Sequence, residues 1–202
     1  MSTGIDLYSF IHFDRGSRVR WLANELGLTI NEHRLDARAG EHKGAAYRAV
    51  NPTGLVPAIV QNGVTQFDSA AICLSLAEAH REAKLAIFEG ESGRGEFLSW
   101  YFFAASTLDA ATYPLMVYKM FQPDPAMLEA STQRLMTHLA ALDRRMLDRD
   151  WVCGRFTIAD ILLGHGLELQ RRCDVNFAEF PALAAYHARL KSRPAGVGLF
   201  AN

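Results

Sequence analysis

No two cysteines in this 202-residue sequence stand at C-x-x-C spacing, and their total, three, is odd. Cys73, Cys153 and Cys173 therefore suit neither a disulfide framework nor a zinc knuckle. A reducing, cytoplasmic setting fits them best. No charge of one sign dominates: 21 Lys and Arg stand against 22 Asp and Glu, a formal net charge of −1. That balance gives no basic stripe for nucleic acid and no polybasic membrane anchor. No run approaches the ~18 uninterrupted apolar residues of a membrane span. Met1–Asp6 has neither a basic nor an apolar segment, so no signal peptide is expected there. His33, His80, His138, His165 and His187 show no ligand spacing, and no metal is expected. Internal repeats and low-complexity tracts are also missing.

Half of the residues are hydrophobic and 21% are charged, as in an ordinary globular protein of one large or two small domains. The hydrophobic period changes along the chain. Ile5 to Phe10 alternates like a strand. Val19, Leu22, Ala23 and Leu26 follow at helical spacing, with Gly27 placed to close that helix. Leu28–Leu35 can form a second strand and His42–Val50 a short helix. Pro57–Val60 and Thr65–Phe67 flank Asn62-Gly63, a hairpin signal. Asp68-Ser69 then starts a helix from about Ala70 to His80. The order βαβαββα predicts a four-stranded mixed sheet, its first two strands parallel and its closing hairpin antiparallel.

Residues 81–95 are polar and Gly-bearing and read as a linker. From Glu96 the period is helical throughout. Phe97, Trp100, Tyr101, Ala104, Leu108 and Ala111 share one face, and Tyr113-Pro114 predicts a kink. Asp124-Pro125 is an N-cap followed by an N1 proline. Leu128, Leu135, Leu139, Leu142 and Met146 form the next stripe. Thr157-Ile-Ala-Asp160 reads as a capping box. Phe180-Pro181 opens the last expected helix, with Leu183, His187 and Leu190 inward, and Arg193-Pro194 ends it. The expected organisation is thus an α/β domain over 1–80, a linker over 81–95 and an all-helical bundle over 96–202.

Three segments carry chemistry. Asn51-Pro-Thr-Gly-Leu-Val-Pro57 is turn chemistry delivering Val56-Pro57 to a strand start. It is either a simple rigid turn or a cis-proline loop whose Val56 backbone stays unpaired and can hold an extended peptide. Asp68-Ser69 is either a plain helix cap or an anion site of free N–H groups, a hydroxyl and a positive helix end. Asp68 can also receive an ammonium group. His42 and Lys43 are a solvated pair or a cation for a second carboxylate.

Together these residues resemble the glutathione transferase family. The match runs through Val19–Gly27, Asn51–Pro57 and Phe67-Asp-Ser69, resumes at Cys153–Asp160 and ends near Arg193-Pro194. It covers essentially the whole chain. The resemblance implies a thioredoxin-like N-terminal domain, a helical C-terminal domain and reduced glutathione as co-substrate. It implies that Val56, before Pro57, pairs its backbone with the cysteinyl part of glutathione. Asp68 and Ser69 hold the γ-glutamyl end, and His42 the glycyl carboxylate. Leu55 stands where the family often has Lys or Arg. Thr157 and Asp160 match the family's buried capping box, a folding element. A two-fold homodimer is implied as well. Glutathione carries two carboxylates, an ammonium and a thiol, which suits the anion site, peptide clamp and cation read from the residues alone.

A free thiol is only a few per cent ionised at pH 7, so the chemistry needs a group that favours thiolate. The family places a Tyr, Ser or Cys after the first strand. One register puts Ser9 at that position and another puts Phe13 there. Ser17, in the first helical turn, is a candidate hydroxyl or a helix cap, and His12 is a third candidate. No cysteine lies in this segment, so attack by an enzyme thiol lacks its nucleophile. Cys73 reads as a small buried hydrophobe. A hydrophobic electrophile is the expected second substrate, bound between the domains near Phe102, Phe103, Thr107, Tyr113 and Met116. The alternatives are a non-catalytic binding protein on the same fold, and peroxide or disulfide reduction by two glutathiones.

Overall fold

The computed structural model describes residues 4–201; Met1 to Thr3, part of the segment read for a signal peptide, lie outside them. The chain forms two compact units. One runs up to Lys84 and includes the C-terminal stretch from Ala195; the other is Leu85–Pro194.

The first unit opens with β1, Ile5–Ser9, whose alternating burial follows its sequence. Helix α1, Gly16–Leu26, ends at Gly27, which takes φ 66° and returns its N–H to Ala23 O. Strand β2, Ile30–Arg34, pairs parallel to β1 with Ile5 opposite Ile30. A 3₁₀ turn at Glu41–Lys43 leads into the short α2, Ala45–Arg48. Strands β3, Ala58–Gln61, and β4, Val64–Phe67, form an antiparallel hairpin. Its turn residues Asn62 and Gly63 take φ 52° and 78°, the conformation that Asn-Gly favours. Helix α3, Ser69–Ala79, follows. The sheet order is β2-β1-β3-β4. Helices α1 and α3 pack together. Leu7, Val19, Leu22, Ile59, Ile72 and Leu76 are buried, each worth about 1.5–3 kcal/mol of apolar burial. This is the expected thioredoxin-like βαβαββα arrangement.

The second unit is helical: α4 Arg94–Phe102, α5 Asp109–Met116, α6 Pro125–Met146, α7 Ile158–Arg172 and α8 Pro181–Lys191. Asp124 accepts from Met127 N at 3.1 Å ahead of Pro125, as the sequence predicts. Helix α7 is the central one, buried continuously from Ile158 to Gln170. The expected kink at Tyr113-Pro114 takes another form. The chain runs helically through Pro114, and wider π turns at Phe103–Leu108 and Val117–Phe121 flank α5.

The units divide elsewhere than the expected boundaries. Within the polar stretch, Leu85-Ala-Ile-Phe88 is buried against the helical unit. Leu85 O accepts from Ile158 N at 2.7 Å, and Arg155 Nη2 and Arg94 Nη1 donate to Ala86 O and Ile87 O at 2.6 Å. These four buried apolar residues make the segment an anchor rather than a free linker. The helices also do not end at Pro194. A 3₁₀ turn, Pro194–Gly196, and a last short helix, α9, Val197–Phe200, follow. Phe200 meets Trp21 edge-on at 5.5 Å, and Asn24 Nδ2 donates to Ala195 O at 3.0 Å. Apolar Leu199 and Phe200 therefore return the tail to the first unit. Among the described residues no helix is long and apolar enough to cross a membrane.

Candidate functional site

The chemistry-bearing segments of the first unit come from four loops around β1 and β3. The first is the turn into β3. Asn51 is buried; its Oδ1 accepts from Thr53 N and Oγ1 at 3.1 and 2.9 Å. Its Nδ2 and the Tyr47 hydroxyl both donate to Leu55 O at 2.6 Å. Gly54 takes φ 67°, and a Cβ there would stand 2.9 Å from His42 O, so glycine lets the loop close on the His42 turn. The Val56-Pro57 bond is cis. Among the described residues neither the N–H nor the C=O of Val56 takes a hydrogen bond within the chain. Pro57 is buried, and Leu55 is 66% exposed.

The second is the start of α3. Asp68 takes φ 70° and caps the helix, its Oδ1 accepting from Ala70 N at 2.8 Å and Ala71 N at 3.1 Å. Its other oxygen has no partner in the chain among the described residues, and the residue is exposed. Ser69 is buried. Its Oγ accepts from Nη1 of Arg18 at 3.1 Å. Arg18 is itself buried, 1% exposed, so a guanidinium charge sits under the helix start. Asp68 is thus a helix cap, and the Ser69 oxygen is held by Arg18.

The third is the His42 turn. His42 is half-buried, its Nδ1 is enclosed without a hydrogen-bond partner, and its ring meets Phe10 edge-on at 5.1 Å. The fourth is the corner from β1 into α1, which holds the candidate hydroxyls. Ser9 is buried and donates to Glu32 Oε1 at 2.6 Å. Burial raises the Glu32 carboxyl, but the Ser9 bond, Arg20 and Arg34 outweigh it and hold the group below its usual range. Ser17 is buried and donates to Asp14 O at 2.7 Å. Ser17 and His12 line a cavity of about 190 Å³ beside the tail residues Ala195 and Leu199, whereas Arg18 leaves α1 toward Ser69.

All three cysteines are free. Burial pushes the thiols of Cys73 and Cys153 up to about 12 and that of Cys173 up to about 11. Such thiols stay protonated and are poor nucleophiles. In the helical unit Thr157 and Asp160 form the expected box: Thr157 Oγ1 accepts from Ala159 N, and Asp160 Oδ2 accepts from Thr157 N at 2.8 Å. Phe102, Thr107 and Tyr113 are exposed there, and Phe103 and Met116 half-buried. Among the described residues no group of three or more His, Cys, Asp or Glu is placed to hold a metal.

The sequence reading missed Arg18, Tyr47 and Asp14, and read Asn51 only as part of its turn. Arg18 had a signal: it lies four residues before Leu22, on the apolar side of α1, where a lone charge implies a buried partner.

A thioredoxin-like unit followed by a helical unit is the two-domain architecture of the glutathione transferase fold. The chain belongs to the glutathione S-transferase family. Residues 16–79 match that family's N-terminal domain and residues 103–194 its C-terminal domain. A glutathione S-transferase of Escherichia coli O157:H7 is 30% identical over 155 residues, 75% of each chain. A disulfide-bond oxidoreductase of Escherichia coli K12 is 27% identical over 95% of this chain and 92% of that one. Among solved structures, a Phanerochaete chrysosporium glutathione transferase in complex with oxidized glutathione superposes with a TM-score of 0.90. It is 26% identical, and the match covers 98% of this chain and 96% of that one. A Pseudomonas fluorescens family member with two glutathiones bound gives a TM-score of 0.87 at 25% identity, over 98% and 92% of the two chains.

Proposed function

We propose that the first unit binds reduced glutathione and that the protein transfers its glutathionyl group to a hydrophobic electrophile. The observation that carries this reading is Ser69, buried at the start of α3 with its oxygen on the Arg18 guanidinium. With the oxygen accepting from Arg18, the hydroxyl proton is left to be donated to a carboxylate. The helix end and the buried cation add positive potential. The γ-glutamyl carboxylate belongs there, and its ammonium on the free oxygen of Asp68. The open backbone groups of Val56 suit the cysteinyl amide. His42 serves the glycyl carboxylate, and Leu55 adds no charge. Ser17 or Ser9 would ionise the thiol on giving up its bond to Asp14 O or Glu32. The thiolate sulfur then bonds to the electrophilic carbon, the leaving group departs with its electron pair, and the thiol proton goes to solvent. Phe102 and Tyr113, exposed on the helical unit, suit an apolar second substrate. Detoxification in the cytoplasm, as a homodimer, is the setting this reading supports; the free cysteines fit a reducing compartment.

A second reading, disulfide or peroxide reduction with two glutathiones, is favoured by the relatives: one is a disulfide-bond oxidoreductase and one structure holds two glutathiones. It needs no protein thiol. A non-catalytic binding role on the same fold is favoured by the committed donors of Ser9 and Ser17. Calorimetric titration with reduced glutathione tests the site. Saturable binding is expected, weakened about tenfold to a hundredfold in Ser69→Ala, the loss of a charge-assisted hydrogen bond. An unchanged Kd removes Ser69 from the site, and no heat from the wild type removes the reading.

A further inference from the structure

The turn beside the Val56 loop carries more positive charge than a single carboxylate uses. Arg48 closes the short α2 and is exposed. Among the described residues its side chain makes no hydrogen bond, ion pair or ring contact. Lys43, in the 3₁₀ turn before α2, is exposed and unpaired in the same way. The acids that precede them are spent on their own backbone. Glu41 Oε2 accepts from Asp36 N at 2.6 Å, and Asp36 Oδ1 accepts from Arg38 N and Ala39 N at 2.7 and 2.9 Å.

Arg48 also stands at the loop on which the glutathione site is built. Its Nε lies 3.7 Å from the place a Cβ on Gly54 would take, and that place is 2.9 Å from His42 O. Gly54 is two residues before Val56, whose N–H and C=O are open among the described residues. An extended peptide advances about 3.4 Å per residue, and its ends lie on opposite sides of its middle. With the γ-glutamyl end on Ser69 and the cysteinyl amide on Val56, the third residue of the peptide falls beside Gly54 and His42. His42 has its unpartnered Nδ1 for the main-chain carboxylate there. Arg48 then remains for a second negative charge, with Lys43 adding to the positive field. Leu55 is 66% exposed and Arg48 is open to water, so a side chain on that third residue meets solvent rather than a wall.

We propose that Arg48 selects the thiol co-substrate by charge, so that γ-glutamyl-cysteinyl peptides ending in a dicarboxylic residue bind better than their neutral counterparts. This rests on the glutathione reading above and extends its substrate class beyond glycine at the third position. Arg48 is a specificity-determining residue in this role. Its guanidinium can present two parallel N–H donors to the added carboxylate. The pair is exposed, so its gain is small and falls as salt rises.

The test is calorimetric titration with three thiol peptides: glutathione, γ-Glu-Cys-Glu and the neutral isostere γ-Glu-Cys-Gln. The last two differ by one side-chain charge. At low salt the wild type is expected to bind the acidic peptide about threefold tighter than the isostere, the worth of an exposed ion pair. High salt is expected to shrink that ratio. In Arg48→Gln the ratio is expected to fall towards one while the isostere binds as it does to the wild type. Arg48→Lys, which keeps a cation, is expected to retain part of the ratio. A ratio that survives unchanged in Arg48→Gln overturns the proposal. So does loss of both peptides in that variant, which would put Arg48 in the binding of every glutathione-like peptide and not in selection among them. A wild type that binds none of the three overturns the glutathione reading and this inference with it. One that binds glutathione but ranks the acidic peptide no better than its isostere overturns the inference alone.

Discussion

Glu168 shows what one charge can do inside this protein. Its side chain is wholly buried, with Arg171 Nη2 at 2.7 Å, Arg172 Nε at 3.1 Å and His187 Nε2 at 3.3 Å. Burial alone raises its carboxyl, but His187, Arg171 and Arg172 outweigh that and bring it down to about 2 from 4.5. The folded value lies below the unfolded one. Its stabilisation is therefore complete above about pH 4.5 and is lost as the pH falls towards 2. Glu168→Gln should be less stable than the wild type at pH 7 by about 3 kcal/mol and should lose that acid dependence. Urea midpoints at pH 7, 4 and 3 check it; parallel pH profiles for the two proteins would refute it. At this scale the sequence was readable where residues sit in motifs, as with Asp68, Ser69 and His42. Arg18 and Asp14 were hidden because their roles depend on partners 51 and 4 residues away and on a burial no local pattern displays.

At the scale of elements, capping was the most legible signal. Gly27, Asn62-Gly63, Asp68, Asp124 and Thr157 all do locally what their residue types favour, because caps and turns are decided within four residues. The π turns around α5 were not legible, since no local residue pattern marks the change from α to π hydrogen bonding there. The capping box of α7 also reaches beyond its own helix. Asp160 Oδ1 accepts from Val152 N at 3.0 Å and from the Tyr186 hydroxyl at 2.7 Å, tying the preceding loop and α8 to α7. Burial pushes its carboxyl up to about 6 from 3.8, against these bonds. A raised acid binds its proton more tightly when folded, so its contribution to stability declines as pH rises between about 3.8 and 6, then levels. Asp160→Asn keeps the shape but turns an NH₂ towards backbone donors. It should cost about 3 kcal/mol at pH 7, read as a fall in melting temperature. A shift no larger than that of an exposed Asp→Asn change would show that the box does not hold these elements together.

For the whole molecule, the notable connection is between the chain's two ends. The helical unit is one continuous stretch, Leu85–Pro194, whereas the first unit needs the tail from Ala195 onward. The sequence placed that tail with the helices because a period of 3.6 cannot say which neighbour an apolar residue meets. The contact that decides it is Trp21, 1% exposed, against Phe200 and the backbone of Gly196. A Cβ on Gly196 would lie 2.7 Å from Trp21 Cε2, while a Cβ on Gly198 meets nothing within 4 Å. Gly196 takes φ −91°, so a side chain there is excluded by the indole and not by the backbone. Gly196→Ala should therefore push the tail off Trp21 and destabilise the protein by about 1–3 kcal/mol, the usual cost of overpacking. Gly198→Ala, in the short helix α9 that follows, should be neutral or slightly stabilising. Thermal melts and the emission wavelength of Trp21 check both, with Trp100 and Trp151 replaced by Phe in each comparison so that one indole reports. Equal behaviour of the two variants would mean that the tail's hold on the first unit does not depend on the close fit of Gly196 against Trp21. A red-shifted emission confined to Gly196→Ala would tie the stability of the sheet-bearing unit, and of the α1 helix that carries Arg18, to the last residues of the chain.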